Sequence, residues 1–180
     1  MTFDEYVLAR GPALVRFARL LTGDDHRAED LVQDVLAKAY VSWRRIGSAD
    51  RPDLYVRRML VNAHHSWWRR AVNREVTVAE VRDAPTPDPA AESAERDALW
   101  RLIRTLSPRQ RTVIVLRYYE DYDDVTIAEL LHCSPGTVRT QARRALARLQ
   151  AQFPQAAHVS GFSAPSGGPG AGNDTVRGDR

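Results

Sequence analysis

The stretch from Thr126 to Gln150 constrains this chain most, because its pattern predicts two short helices joined by a tight turn. Ser134 is a good N-cap and Pro135 suits the first helical position, so the second helix is predicted to begin there. Apolar side chains recur at helical spacing along it and predict one buried face. They are Val138, Ala142, Ala145, Leu146 and Leu149. This arrangement is typical of a helix-turn-helix, whose second helix enters the major groove of DNA.

The opposite face of this second helix is basic. No acidic residue occurs between Ser134 and Gln150, and four arginines give the helix a net charge of +4. The side chains on this face are Arg139, Thr140, Arg143, Arg144 and Arg148. A charged helix face is often only solvated, and any antiparallel helix pair can carry one, so the rest of the chain must decide.

Charge is distributed unevenly along the chain. The net charge of +3 and the pI near 9.3 favour a polyanionic partner only mildly. Residues 1–43 carry five basic and seven acidic side chains, a net −2, whereas residues 44–75 carry eight and three, a net +5. An acidic surface followed by a basic one indicates two partners of opposite electrostatic preference.

Three helices are predicted within residues 1–75. The first is interrupted at Gly11-Pro12, so it is expected to be kinked or split there. The second, over 24–46, is the longest clean amphipathic pattern, and acidic residues crowd its first turns, where the helix dipole favours negative charge. Its outer face shows Asp30, Gln33, Asp34 and Lys38.

The third helix, over 53–74, combines basic, amide and aromatic side chains. Its expected inward face consists of Val56, Met59, Leu60, Ala63 and Trp67. Basic charge beside aromatic and amide groups suits contact with unstacked bases and phosphates. The candidates for this contact are Arg57, Arg58, Asn62, His65, Trp68, Arg69 and Arg70. The alternative is an ordinary surface helix with one more core tryptophan.

A change of composition divides the chain. Residues 76–92 hold three prolines and little apolar periodicity, which predicts a linker between domains at 1–75 and 93–153. In the second domain, a helix is predicted over 94–106, and Ser107-Pro108 is expected to cap another. Residues 154–180 are rich in Gly, Pro, Ala and Ser and are expected to be disordered. The predicted fold is all-α: two small helical domains joined by a flexible linker, the C-terminal one a four-helix domain with the helix-turn-helix.

No arrangement of residues suggests catalysis or a metal site. His64 and His65 are neighbours on a helix and point in different directions, while His132 and Cys133 lack a second ligand pair at a usable spacing. Both pairs are therefore expected to be surface and turn residues. The Gly-rich tail lacks the Lys-Ser/Thr ending of a phosphate-binding loop. Neither an enzyme activity, a metal nor a cofactor is expected.

The sequence also indicates a compartment. The single cysteine excludes an internal disulfide and fits a reducing environment. No apolar run approaches membrane-spanning length, and the acidic N-terminus lacks the pattern of a signal peptide. We therefore expect a cytoplasmic protein that does not bind membranes.

The order of these parts resembles bacterial RNA polymerase sigma factors of the extracytoplasmic-function group, most of all its actinobacterial members. AEDLVQDVLAKAY (28–40) is similar to the helix that binds core polymerase in that family. YVRRMLVNAHHSWWRR (55–70) resembles its promoter-melting and −10-reading helix. LSPRQRTVIVLRYYED (106–121) and AELLHCSPGTVRTQARRAL (128–146) resemble its −35-reading domain. The resemblance covers about residues 3–153.

The resemblance implies a dissociable specificity subunit of RNA polymerase with three contact sets. Asp30, Gln33, Asp34 and Lys38 would bind the clamp of the largest polymerase subunit. Arg57, Arg58, Asn62, His65, Trp68, Arg69 and Arg70 would hold the melted −10 element. Ser134, Thr137, Arg139, Thr140, Arg143 and Arg144 would face the duplex −35 element. An anti-sigma protein is a further partner to test.

Two features qualify this interpretation. The family commonly has glycine in the turn of the helix-turn-helix, whereas this chain has His132, which can take a left-handed backbone at some cost. The residues alone also leave open a stand-alone helix-turn-helix regulator that binds duplex DNA without polymerase. Such a regulator would need no acidic N-terminal helix.

Overall fold

The structure, a computed structural model, describes residues 1–74, 101 and 103–152. These residues form helices and connecting turns without a strand, so the all-α prediction is confirmed. The predicted linker over 76–92 and tail over 154–180 lie outside the described residues, as does most of the helix predicted over 94–106. Within the described ranges, no helix is both long enough and apolar enough to cross a bilayer.

The first helix, α1 (Phe3–Thr22), runs through Pro12 without a break, so the split form of the prediction is wrong. Its start is fixed by a capping box in which Thr2 accepts a bond from the Glu5 amide and Glu5 accepts one from Thr2. Pro12 removes the donor to the Leu8 carbonyl. Because Pro12 and Leu8 are both exposed, water can hydrate that carbonyl, and the helix continues.

The pattern predicted as one helix over 24–46 forms two, α2 (Asp25–Val41) and α3 (Trp43–Ile46). Helical geometry is interrupted at Ser42, whose ψ is 13°. Past this break, the Trp43 ring packs on Tyr6, with ring centroids 4.8 Å apart. Because of this break, α2 is shorter than the pattern predicted, and the longest helix in the described part of the chain is α4 (Pro52–Arg74), the predicted third helix.

The C-terminal half has the predicted helix-turn-helix. After helical residues 101, 103 and 104 come α5 (Pro108–Ile114), a π-helical turn (Val115–Tyr119), α6 (Asp124–Leu131) and α7 (Pro135–Gln152). Ser107 caps α5, as predicted, by accepting a bond from the Gln110 amide. His132 ends α6 with φ 52° and ψ 50°, the left-handed conformation anticipated for it.

The larger hydrophobic cluster of the described residues spans the two halves. Buried side chains of α1, α2 and α4 pack in the same cluster as Val113, Leu116, Ile127 and Val138 from the C-terminal half. Arg111 adds a polar connection, because its Nη1 donates to the Leu21 carbonyl at 2.9 Å. That carbonyl lies in the last turn of α1, where no intrahelical donor is available. The C-terminal half thus completes a helix of the N-terminal half.

Candidate nucleic-acid interface

The start of α7 is locally determined. Ser134 Oγ accepts a bond from the Thr137 amide at 3.1 Å and lies 3.0 Å from the Thr137 hydroxyl oxygen. Val138, Ala142 and Ala145 are buried and hold α7 against the domain. Leu146 and Leu149 pack against Leu106 and Ile114. Because the apolar face is anchored, the opposite face is presented outward.

The outward face of α7 carries the predicted −35 residues. Ser134, Thr137, Arg139, Arg143 and Arg144 are exposed, and Thr140 is half-buried. Asp124, in the first turn of α6, lies at one edge of this surface. Its Oδ1 accepts a hydrogen bond from Arg117 Nη2 at 2.5 Å, and its Oδ2 lies 3.8 Å from Arg139 Nη1. Position Arg139 is therefore electrostatically coupled to α6, whereas Arg143 and Arg144 lie further along an exposed basic face.

The side chains proposed for the −10 element differ in accessibility. Asn62, Trp68, Arg69 and Arg70 are exposed, whereas Arg58 and His65 are half-buried. The Arg58 guanidinium lies 5.1 Å from the ring centroid of Tyr55. Four of the seven predicted side chains are thus directly available on the surface of α4.

Trp67 was expected in the core, and this expectation is wrong. Its side chain is 37% exposed. The Arg27 guanidinium of α2 lies 3.4 Å from its ring centroid, a cation–π contact that covers one face of the ring. Trp67 therefore joins Trp68, with ring centroids 6.2 Å apart, as a pair of accessible aromatic side chains at the C-terminal part of α4.

Arg57 is buried rather than presented to solvent, being only 5% exposed. Its Nη1 donates to Asp53 Oδ2 at 2.6 Å, and its Nε donates to Glu120 Oε2 at 2.8 Å. Burial alone would lower the pKa of Arg57, but the two carboxylates outweigh it and raise that pKa. In this arrangement Arg57 cannot reach a phosphate, so its predicted DNA contact stays a prediction that requires the halves to separate.

Asp53 is held from a second side. The Tyr6 hydroxyl donates to Asp53 Oδ1 at 3.1 Å. Burial and then the Asp53 charge raise the pKa of Tyr6, so the hydroxyl keeps its proton and acts as a donor. The Asp53–Arg57 ion pair of α4 is thus bonded from α1, through Tyr6, and from the C-terminal half, through Glu120.

His64 was expected at the surface but is 3% exposed, so that expectation is also wrong. Its Nε2 has no hydrogen-bond partner among the residues that the structure describes. Burial, and to a smaller extent the neighbouring His65, Arg111 and Arg27, together lower the pKa of His64 to about 3. His64 is therefore a neutral core residue, and only His65 of the pair is partly accessible.

The predicted polymerase-binding face of α2 is exposed along its length. Asp30, Gln33, Asp34 and Lys38 are all accessible, while Ala28, Val32, Val35 and Ala39 are buried on the opposite side. No pair of these four side chains shares a salt bridge within the described ranges. This face is available to a partner.

The structure brings two of the predicted contact sets together. A cleft of about 250 Å³ lies between α4 and the helix-turn-helix. Asn62 and His65 line one wall, and Thr137 and Gln141 line the other. The α2 face takes no part in this cleft.

Sequence reasoning missed the residues that join the halves. Glu120, Arg111 and Thr112 are not among the predicted site residues, yet each bonds a side chain or carbonyl of the N-terminal half. Their partners lie 63, 90 and 47 positions away in sequence. A single sequence carries no local signal for such pairs.

The comparisons with known proteins match both halves. Residues 7–74 match Sigma-70 region 2, and residues 96–149 match Sigma-70, region 4. Both regions belong to the sigma-factor family that the sequence resembles. The two helical halves together define an RNA polymerase sigma factor of the sigma-70 type.

Sequence identity to sigma factors of other bacteria shows which group of sigma factors this chain belongs to. The chain is 38% identical to the RNA polymerase sigma-E factor of Streptomyces coelicolor over 153 residues, covering 85% of this chain and 86% of that one. It is 30% identical to the ECF RNA polymerase sigma factor SigL of Mycobacterium tuberculosis, covering 82% and 84%. This chain belongs to the extracytoplasmic-function group of sigma factors, which direct RNA polymerase to promoters.

A solved structure agrees with this placement. The sigma factor RpoE of Bartonella quintana, in complex with the anti-sigma factor NepR, superimposes with a TM-score of 0.69 at 28% identity. The match covers 85% of this chain and 97% of that one. The sigma-factor prediction is thus confirmed, and the region 2 match argues against a stand-alone regulator, which would have no use for that domain.

Proposed function

We propose that this sigma factor contacts polymerase and promoter through three separate surfaces. Asp30, Gln33, Asp34 and Lys38 on α2 would bind the clamp of the largest polymerase subunit. Side chains of α4 around Asn62 and Trp68 would hold the melted −10 element. The basic face of α7 would read the duplex −35 element. The supporting observation is the unobstructed acidic face of α2, which a DNA-binding protein acting alone would not need.

The chemistry of the surfaces supports this division. Exposed arginines on α7 suit the phosphates and base edges of a duplex groove. The exposed Trp67 and Trp68 rings beside Asn62, Arg69 and Arg70 suit stacking with unpaired bases. An acidic helix face suits a protein partner with basic side chains and repels DNA. The chain would act in the cytoplasm as an initiation factor without an active site of its own.

A further proposed partner is an anti-sigma protein. The support is that the Bartonella quintana sigma factor was solved in complex with one. The test is whether a protein that co-purifies with this chain inhibits run-off transcription when it is added to the purified polymerase and sigma factor.

The central experiment is co-purification with core polymerase followed by run-off transcription on genomic fragments. The double substitution Gln33→Arg and Asp34→Arg should abolish association with core polymerase. Because both positions are exposed, the free energy of unfolding should change by less than about 0.5 kcal/mol. Recovery of this variant with polymerase at the wild-type yield would reduce the α2 face to a solvated surface.

A matched control is available in the exposed loop before α4. Ala49→Arg with Asp50→Arg introduces the same change of charge at two adjacent exposed positions. This control should co-purify with polymerase normally. Equal loss in both variants would mean that added positive charge, rather than the α2 face, determines binding.

A further inference from the structure

An acidic side chain at the start of α6 faces an arginine of α7. Asp124 lies in the first turn of α6, and Arg139 lies in the second turn of α7. We propose that Asp124 is a positioning residue, which orients the Arg139 guanidinium so that one edge of it faces a guanine of the −35 element. This inference rests on the proposed function, because it concerns how α7 reads a duplex.

The Asp124 carboxylate is itself held in place by a third residue. Its Oδ1 accepts a bond from Nη2 of Arg117, which belongs to the π-helical turn before α6. The side chains of Arg117 and Asp124 are 24% and 16% exposed, so water competes little for this bond. The carboxylate therefore has a fixed orientation, and its second oxygen, Oδ2, is the atom that faces Arg139.

Asp124 attracts Arg139 through one end of the guanidinium. Oδ2 lies 3.8 Å from Arg139 Nη1, a separation at which the charges attract each other without forming a hydrogen bond. The guanidinium is planar and carries five N–H donors in a fixed fork. Because the carboxylate lies at Nη1, the edge formed by Nε and Nη2 stays free for another partner.

The free edge of Arg139 has the geometry that guanine requires. Guanine presents two neighbouring acceptors in the major groove, O6 and N7, and the other three bases do not. Two parallel N–H donors bond both acceptors only when the guanidinium lies in the plane of the base. A side chain that rotates freely loses conformational entropy when it adopts this orientation. The carboxylate at Nη1 restricts that rotation before DNA binds.

Packing between α6 and α7 sets the distance between the two residues. Ile127 of α6 and Val138 of α7 are fully buried in the same hydrophobic cluster. Val138 directly precedes Arg139, so the backbone at the arginine is anchored. The side chain of Arg139 is nevertheless 64% exposed. Its direction therefore depends on the rotamer, which is the property that Asp124 restricts.

The charges around Asp124 keep this surface attractive to DNA. Arg117 and Arg139 contribute two positive charges and Asp124 one negative charge, a net +1 for the group. An exposed ion pair at the distance of Asp124 and Arg139 contributes little in water. Docking in the groove removes water, and the attraction between opposite charges increases as the effective dielectric constant falls. Asp124 should therefore act on Arg139 most strongly in the bound state.

The test is transcription by the full chain with core polymerase, at fixed salt, from a promoter library in which every −35 position is varied. Arg139→Ala should lower the preference for guanine at one position about tenfold, which identifies the base that Arg139 reads. Asp124→Asn keeps an oxygen for Arg117 but removes the charge. It should lower the preference for guanine at that same position about threefold and leave the other positions unchanged.

Glu129→Gln is the matched control, because it removes one negative charge from an exposed position of the same helix. It should leave every base preference unchanged. Asp124→Asn combined with Arg139→Ala should show no further loss at the identified base relative to Arg139→Ala alone, because Asp124 acts through Arg139. A purely structural role would lower activity on all sequences equally. Asp124→Ser, which places a residue that suits a helix start, decides the question if Asp124→Asn fails to fold.

The inference is overturned if the folded Asp124 variants keep the parental preference for guanine, or if Glu129→Gln lowers it equally. It is also overturned if Arg139→Ala leaves every preference for guanine unchanged. A further effect of Asp124→Asn in the Arg139→Ala background would overturn it too, because Asp124 would then contact DNA itself. In each of these cases the parent still transcribes, and the proposed function stands. A parent that transcribes from no promoter refutes the proposed function, and this inference with it.

Discussion

His64 makes the stability of this chain depend on pH above the range in which carboxylates titrate. The side chain is 3% exposed, and its folded-state pKa is about 3, against about 6.5 in the unfolded chain. Because the folded-state pKa is depressed, the unfolded state binds a proton first as the pH falls. The free energy of unfolding is therefore lost progressively below about pH 6.5.

The magnitude follows from linkage. Each pH unit is worth up to about 1.4 kcal/mol, and at pH 5 the unfolded histidine is almost entirely protonated while the folded one is neutral. Between pH 7 and pH 5, His64 should reduce the free energy of unfolding by about 2 kcal/mol. This figure depends mainly on the unfolded-state pKa, since the folded value lies far below the range.

The assay is urea unfolding at pH 7, 6 and 5, followed by tryptophan fluorescence and circular dichroism. His64→Leu places an apolar side chain that cannot bind a proton at this buried position. The loss in the free energy of unfolding between pH 7 and pH 5 should therefore be smaller by about 2 kcal/mol. His65, whose pKa burial also lowers, contributes equally to both proteins and cancels in the difference. His26→Asn, at an exposed position, is the control and should behave as the parent. Identical pH dependence in the parent and in His64→Leu would refute the reasoning.

Four further outcomes are expected. Asn62→Ala should impair open-complex formation more than initial promoter binding, so a pre-melted promoter should rescue it; equal losses on duplex and pre-melted templates would contradict this. Arg143→Ala should relax preference at particular bases of the −35 element, by about 1–3 kcal/mol of discrimination, in transcription from a saturation-mutated promoter library at fixed salt, and a uniform loss would instead identify a phosphate contact. Arg148→Ala should weaken all sequences about equally or have no effect, and base-specific relaxation would mean that α7 docks in the opposite direction. Ser134→Ala should lower the free energy of unfolding by about 1 kcal/mol through loss of the N-cap, as urea titration would measure.

The features that sequence predicted correctly are local ones. Ser134 bonds an amide three residues away, and the buried face of α7 repeats every three or four residues. Both features can therefore be predicted from a short stretch of sequence. The exposed face of α2 follows from the same periodicity. The start of α7 and the buried and exposed faces of α2 and α7 could therefore be predicted without the structure.

The features that it predicted wrongly depend on distant partners. Trp67 fits an inward-facing position by periodicity, but Arg27 of another helix covers one ring face and leaves the rest exposed. His64 resembles any polar helix residue until the C-terminal half packs over α4. The burial of Arg57 has no local signal either, because its partner Glu120 is 63 residues away. In each case the environment is supplied by a second element that no local pattern specifies.

The bond from Arg111 to the Leu21 carbonyl bears on how the chain is made. The acceptor is translated 90 residues before its donor, a delay of about 5 to 20 s at ordinary synthesis rates. During that interval the end of α1 must rely on water for its carbonyls. Until Arg111 has been synthesised, the N-terminal half lacks this bond and is therefore expected to be less stable than it is in the finished protein. A fragment ending near residue 75 should keep that lower stability permanently, while the complete chain should unfold as one cooperative unit.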